Sequence, residues 1–310
     1  MVQKNTLNKL LIICGATATG KSDLAVECAK ILDSEVISAD SMNVYKGLDI
    51  GTAKPSEEEK QGIVHHLIDV VSPYERYTVG DYRAQALPIL KNLLERGKIP
   101  VICGGTGFYI NSLLYNLSYG NGLGDLTIRD KYKKIAEEYG NEKVFDVLKE
   151  YDPETAEKLH PNDLKRVIRA LEIYESGTKK SDITDDMTPL FDYSAYSFDF
   201  PRETLYARID KRVDKMIETG LIEEVIDLKK AGVRFTDQCM QGIGYKEIYD
   251  YLKGNSSFEN AVSTIKLNTR HYAKRQYTFF NHQLPIVWFE TDYNNFNNTI
   301  EKIISYIENN

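Results

Sequence analysis

Residues Gly15-Ala16-Thr17-Ala18-Thr19-Gly20-Lys21-Ser22 follow directly on the apolar run Leu10-Leu11-Ile12-Ile13-Cys14 and read G-x-x-x-x-G-K-S. A buried strand, a glycine-bounded loop and an alanine-rich helix reaching to Leu32 must then succeed one another, which commits the chain to an α/β architecture. Gly15 and Gly20 let the backbone curl until successive N–H groups face one concavity, and the helix aims its positive end there. Phosphate oxygens fit that hole. Lys21 adds a point charge at the outer phosphate, and the Ser22 hydroxyl is placed to complete the shell of a Mg²⁺ that bridges two phosphates. The motif specifies a di- or triphosphate and leaves the reaction open.

The residues that can meet this cradle stand at strand ends. Residues 34–39 form a short β-prone run ending in Asp40-Ser41, followed by a glycine-containing loop through Pro55. In an open sheet, ligands bind beyond the carboxyl ends of the strands, so Asp40 is expected beside the phosphate loop. Residues 66–71 read as a third strand, 80–97 as a helix stopped by Gly97, and 99–103 as a fourth strand running into Gly104-Gly105-Thr106-Gly107. Adjacent glycines at a strand end predict another close approach on the ligand side. From 115 to 190 the pattern changes to polar helices, at 126–139, 141–151, 153–160 and 163–176, with 177–188 as a mobile return. A strand at 193–200, long helices at 202–228 and 258–280, a last strand at 286–289 and an Asn-rich turn at 293–298 complete the chain. The expected fold is α/β: a P-loop NTPase-like parallel sheet flanked by helices, built from 1–114 and 191–310, with 115–190 inserted as an all-helical domain.

Composition narrows the partners. With 310 residues, 42% of them hydrophobic, the chain can bury a full core. No apolar run reaches the roughly 18 residues of a membrane span, and residues 1–9 lack the apolar core of a signal peptide, so no membrane and a cytoplasmic location are expected. Cys14, Cys28, Cys103 and Cys239 show no C-x-x-C spacing, which argues against a zinc site or a disulfide framework. With 39 basic and 46 acidic residues the net charge is −7, so an anionic partner must be met by a local basic patch.

Asp40 can accept a proton from a nucleophile lined up behind the transferring group; its bland alternative is to cap the next turn or hold Mg²⁺ through water. Thr106 can give or take one hydrogen bond at the same reacting atom, or merely cap the helix that follows. No apolar strand ends in an acid in the manner of ATP hydrolases, and Asp69, read as mid-strand, is a poor substitute. The diphosphate is thus a leaving group or a handle. Lys266, Arg270 and Lys274 recur at i, i+4 and i+8 with no acid between Glu259 and Glu290. Together with Arg275, Tyr272, Tyr277 and Phe279 they suit phosphate contact and base stacking, although a solvated basic face is the usual reason for such a run. Lys165, Arg166 and Arg169 form a second cluster. Arg202, Arg208 and Arg212 form a third, from which one could hold the diphosphate. His65-His66 lacks ligand partners at metal spacing.

Taken together, G-A-T-A-T-G-K-S, A-D-S-M-N-V-Y-K-G-L-D-I-G-T-A-K-P, G-G-T-G-F-Y, G-I-G-Y-K-E and Y-A-K-R-Q-Y-T-F resemble the bacterial tRNA dimethylallyltransferases, also called tRNA isopentenyl transferases, over nearly the whole chain. The resemblance implies transfer of a dimethylallyl group from dimethylallyl diphosphate to N6 of the adenine 3′ to the anticodon in tRNA, with Mg²⁺ present. It implies that Gly15 to Ser22 hold the diphosphate in place of ATP, helped by Arg208 or Arg212, and that Asp40 is the base with Thr106 steadying the reacting group. Base flipping of the adenine into the site is expected. The implied tRNA contacts are Asp40, Ser41, Met42, Asn43, Thr106, Arg129, Lys165, Arg166, Arg169, Gln241, Gly244, Tyr245, Lys246, Lys274, Arg275 and Gln276, on a monomer. Three positions depart from the family pattern: Asn43 for Gln, Phe279 for Trp and Asn281 for Arg.

The alternative is a P-loop kinase for a small metabolite, with Asp40 deprotonating a hydroxyl that attacks ATP. It accounts for the first hundred residues and leaves the helical insertion and the basic clusters idle. A prenyltransferase for free adenine nucleotides and a nucleotide-binding regulator without turnover are further readings.

Overall fold

The apolar pattern that announces the first strand also sets its place in the molecule. In the computed structural model, which describes residues 9–118, 126–291 and 295–309, β1 (Lys9–Cys14) is buried from its second residue on and pairs on both sides. Burial on both faces and both edges explains why the run is continuous rather than alternating. Residues 1–8, where no signal-peptide core was read, and residues 293–294 of the Asn-rich turn lie outside the described residues.

Helix α1 (Lys21–Ile31) follows the loop, then β2 (Val36–Ser38), α2 (Glu57–Lys60), β3 (His65–His66), α3 (Val79–Glu95), β4 (Val101–Gly104) and α4 (Gly107–Leu114). Next come α5 (Leu126–Tyr139), α6 (Asn141–Tyr151), α7 (Pro153–Ala156) and α8 (Leu164–Glu175). The chain ends with β5 (Asp192–Asp199), α9 (Arg202–Glu218), α10 (Leu221–Lys230), α11 (Tyr245–Leu252), α12 (Phe258–Gln283), β6 (Val287–Glu290) and α13 (Phe296–Asn309). The six strands form one parallel sheet in the order β3-β2-β4-β1-β5-β6. Its core sets Leu11, Ile13, Val101 and Tyr196 against Leu24, Ala25, Cys28 and Ala29 of α1.

The chain divides into two compact units, residues 1–114 with 190–310, and residues 115–189. The second holds its own core of Tyr132, Val144, Phe145, Leu148, Val167 and Leu171 from α5, α6 and α8.

Two elements differ from the sequence reading for a local reason, and two helices were not read at all. The third strand is only two residues long, because Leu67 and Asp69 adopt φ of 62° and 56° and turn the chain out of the sheet. Asp69 is therefore a turn residue, held by Lys54 at 2.6 Å. The helix expected over 202–228 breaks at Gly220, whose φ of 109° turns α10 away from α9. Helices α11 and α13 carried no signal strong enough to be read.

Candidate active site

Strand order brings the motif loops together. β4 lies between β1 and β2, so the loops leaving all three carboxyl ends are neighbours. Ala39 N–H donates to the Cys103 carbonyl at 2.7 Å and Thr106 N–H to the Ala39 carbonyl at 3.0 Å. A cavity of about 400 Å³ opens over these ends, lined by Thr17, Lys21, Ser22, Asp40, Ser41, Met42, Asn43, Arg212, Gln241, Lys246, Tyr272 and Arg275 among others. Among its lining residues Asp40 is the one acid.

The phosphate loop is held from several sides. Gly15 and Gly20 have φ of 126° and 90°, and a side chain on either would strike Ser197 of β5 or the Phe296 ring of α13. Thr19 Oγ1 donates to the Ala16 carbonyl at 2.9 Å and closes the turn. Lys21 Nζ donates to the Ala16 carbonyl. Burial lowers Lys21 to about 8, with Cys103 and Asp40 pulling it back up and Arg212 adding to the fall. Arg212 is likewise lowered by burial and steadied by Asp40. Two desolvated cations facing one carboxylate make a strong anion site. Burial also pushes the Cys103 thiol up to about 12, which removes it as a nucleophile.

Asp40 Oδ1 accepts from the N–H groups of Met42 at 2.8 Å and Asn43 at 3.4 Å, while Oδ2 has no hydrogen bond among the described residues. One oxygen orients the carboxylate and the other is open. Thr106 Oγ1 accepts from Ser41 N–H at 3.0 Å and lies 3.3 Å from Ser41 Oγ, tying its loop to that of Asp40.

Other expected residues take different roles. Gln276 is 5% exposed: its Oε1 accepts from Thr17 N–H at 2.8 Å, and its Nε2 donates to the Gly105 carbonyl at 2.9 Å. Expected as an RNA contact, it lines the cavity and through these bonds braces α12 against the phosphate loop. The glycines of Gly104-Gly105-Thr106-Gly107 are tight against protein, since side chains there would strike the Ala39 backbone, Gln276 and the Phe279 ring, and Gly104 and Gly105 also line the cavity. Tyr245 is fully buried with its hydroxyl on Glu224 at 2.6 Å, and buried Gly244 donates to Glu247 Oε2 at 2.8 Å, so neither presents a side chain to RNA. Arg208 Nε donates to the Ala18 carbonyl at 2.7 Å and props the loop, whereas Arg212 Nη2 reaches the Thr52 carbonyl at 3.5 Å and lines the cavity.

Of the basic face on α12, Lys266 pairs with Asp214 at 2.6 Å and Arg270 with Asp210, both acids on α9. Lys274 and Arg275 are exposed and have no ion-pair partner among the described residues, with Arg275 set over the Tyr272 ring at 5.8 Å. In the helical unit Arg129 grips Glu172 through two nitrogens at 2.7 and 3.0 Å, Arg169 adds a third bond at 3.1 Å, and Arg166 faces Asp163 at 3.3 Å. Lys165 is exposed and has no ion-pair partner among the described residues. Glu224, which sequence reading passed over, accepts from three consecutive backbone N–H groups of the 46–55 loop.

Residues 43–283 match the family model described as IPP transferase, and residues 8–71 match that described as Isopentenyl transferase. A tRNA dimethylallyltransferase of Caldanaerobacter subterraneus is 47% identical over 306 residues, spanning 96% of this chain and 97% of its own length. One from Acetivibrio thermocellus is 46% identical over 290 residues, with 92% and 93% covered. The crystal structure of the full-length tRNA isopentenylpyrophosphate transferase from Bacillus halodurans superposes with a TM-score of 0.73 at 40% identity, over 97% of this chain and 96% of that one. A eukaryotic dimethylallyltransferase acting on tRNA superposes with a TM-score of 0.81 at 29% identity, over 97% and 79%.

Proposed function

The chain belongs to the IPP transferase family, and on that premise we propose that it transfers a dimethylallyl group from dimethylallyl diphosphate to N6 of the adenine 3′ to the anticodon in tRNA. It is a prenyltransferase that modifies tRNA. The observation that carries the chemistry is the charge pattern of the cavity, where Lys21 and Arg212 face the single carboxylate Asp40.

In the proposed reaction the bond from C1 of the dimethylallyl group to the diphosphate oxygen breaks as the bond from C1 to the adenine N6 forms. The N6 proton passes to Asp40 Oδ2, the oxygen free of intramolecular bonds. Lys21, Arg212 and the loop amides receive the charge that gathers on the leaving diphosphate. Thr106, fixed on the Asp40 loop, steadies the amine. Mg²⁺ fits the donor set. Ser22 is exposed on the cavity wall, and no group of three His, Cys, Asp or Glu side chains occurs among the described residues. The ion would be held by Ser22 and by oxygens of the diphosphate, and it would supply further neutralisation of the leaving group. Asn43 Oδ1 is buried without a partner among the described residues and stands next to where the base would enter. Lys274, Arg275 and Lys246 offer cations to the RNA backbone, as does Lys165 in the helical unit. Among the described residues no helix is long and apolar enough to cross a membrane; a cytoplasmic location and a monomeric state are part of the proposal.

Incubation with labelled dimethylallyl diphosphate and unmodified tRNA should place label in the RNA. Phosphate transferred from ATP to a small alcohol, with the RNA unlabelled, would overturn the reading. Asp40→Asn should lower kcat by about 100-fold or more, the scale of a lost general base, with little change in tRNA affinity.

A further inference from the structure

The loop that forms the cavity wall beside Arg212 contains Gly51, Thr52, Ala53 and Pro55, and no strand or long helix holds it. What holds it is a carboxylate. Glu224 Oε2 accepts from the N–H groups of Asp49 at 2.8 Å and Ile50 at 2.7 Å, and Oε1 from Gly51 N–H at 3.1 Å and the Tyr245 hydroxyl at 2.6 Å. Three successive amides pointing one way make an anion-binding nest, and bonds to an ionised acceptor are the strong ones. Gly51 is required there, since a side chain on it would come within 2.6 Å of the Tyr245 ring. One residue further on, the Thr52 carbonyl accepts from Arg212 at 3.5 Å. The break at Gly220 allows this, because α9 brings Arg212 and α10 brings Glu224 to the same loop.

We propose that Glu224 is a positioning residue for the diphosphate donor: by filling the nest of Asp49, Ile50 and Gly51 it fixes the Thr52 carbonyl, and through it the guanidinium of Arg212 at the cavity wall. This rests on the donor reading given above. Glu224 has no contact with the reacting atoms; it acts through four hydrogen bonds and a backbone.

The test separates the nest from the reaction. Glu224→Ala should speed amide hydrogen exchange at Asp49, Ile50 and Gly51, a readout independent of turnover. In assays of the full chain with dimethylallyl diphosphate and an anticodon stem-loop, the same variant should raise KM for the donor about tenfold, the scale of one lost charge-assisted hydrogen bond, and leave KM for the RNA unchanged. Added formate, which can enter the vacated nest, should restore much of the donor KM; a merely unstable variant would gain nothing from it. Should Glu224→Ala not fold, Tyr245→Phe removes one of the four bonds and should raise the donor KM about twofold to threefold, with RNA KM constant. Unchanged exchange, an equal rise in both KM values, or no response to formate would each overturn the proposal. A wild-type chain that is inactive with this donor and RNA would overturn the donor reading, and the exchange result would still judge the nest by itself.

Discussion

Helix α8 of the helical unit and helix α12 of the sheet unit look alike in sequence, each a run of Lys and Arg on an amphipathic helix, yet the two have been put to different use. In the helical unit, Arg129 and Arg169 converge on Glu172, a carboxylate 1% exposed, and Lys165 remains open. On α12, Lys266 and Arg270 are matched by Asp214 and Asp210 of α9, and Lys274 with Arg275 remain open. In both places half or more of the cations serve the fold. Counting basic residues overstates an RNA surface, because acids neutralise them, from the same helix on α8 and from α9 on α12. Lys21 is a third kind of cation, half-buried, without a salt bridge among the described residues and held by a carbonyl.

Glu172→Ala probes the comparison most severely. It removes a carboxylate 1% exposed that holds two guanidinium groups each about 30% exposed through three hydrogen bonds, so the unfolding free energy should fall by about 2 to 3 kcal/mol. A denaturant melt measures this, and the loss should far exceed that of Asp210→Ala, where the pair is about one-third exposed and is worth about 1 kcal/mol or less. Lys21 should govern the pH profile. Burial lowers it from 10.5 to about 8, so its ammonium is complete below that pH and is lost above it. The kcat/KM for the donor should therefore be level below about pH 8 and fall about tenfold per unit beyond, and Lys21→Arg should move the fall to higher pH. A profile flat to pH 10 would remove Lys21 from the donor site. Lys274→Ala should weaken tRNA binding several-fold and reduce the log–log salt slope by about 1, the signature of one phosphate contact. Arg270→Ala should leave tRNA affinity within about twofold, since that cation is already matched. If Arg270→Ala costs as much as Lys274→Ala, the distinction between paired and open cations fails.

Features written locally were legible in the sequence. The strand, loop and helix from Leu10 to Ile31 needed only a buried run, two glycines and a lysine. Asp40 at a strand end followed from the same logic, as did the helices α5, α6 and α8 from their periodicity. What depended on distant partners was not. The glycines at 104, 105 and 107 were read as room for ligand; two of them line the cavity, but Gly104 also admits the Ala39 backbone, and Gly105 and Gly107 admit Gln276 and Phe279 of α12. Gln276 looked like part of a basic, RNA-facing stretch and is bonded to Thr17, 259 residues away. Glu224 lies among ordinary surface acids of a first helical turn, and nothing nearby announces a nest 173 residues upstream. Backbone angles were equally hidden, since positive φ at Leu67 and Asp69 is imposed by the turn and not by residue type.

The supports of the phosphate loop have a bearing on biosynthesis. The loop is complete in sequence by Ser22, but Ser197, Gln276 and Phe296 must be in place before it is bolted down. A polypeptide emerging from the ribosome would carry a loose, ligandless loop until almost all of it had been made, and closing contacts across such spans is slow. Donor could then engage only finished molecules, so that half-made chains would not sequester it.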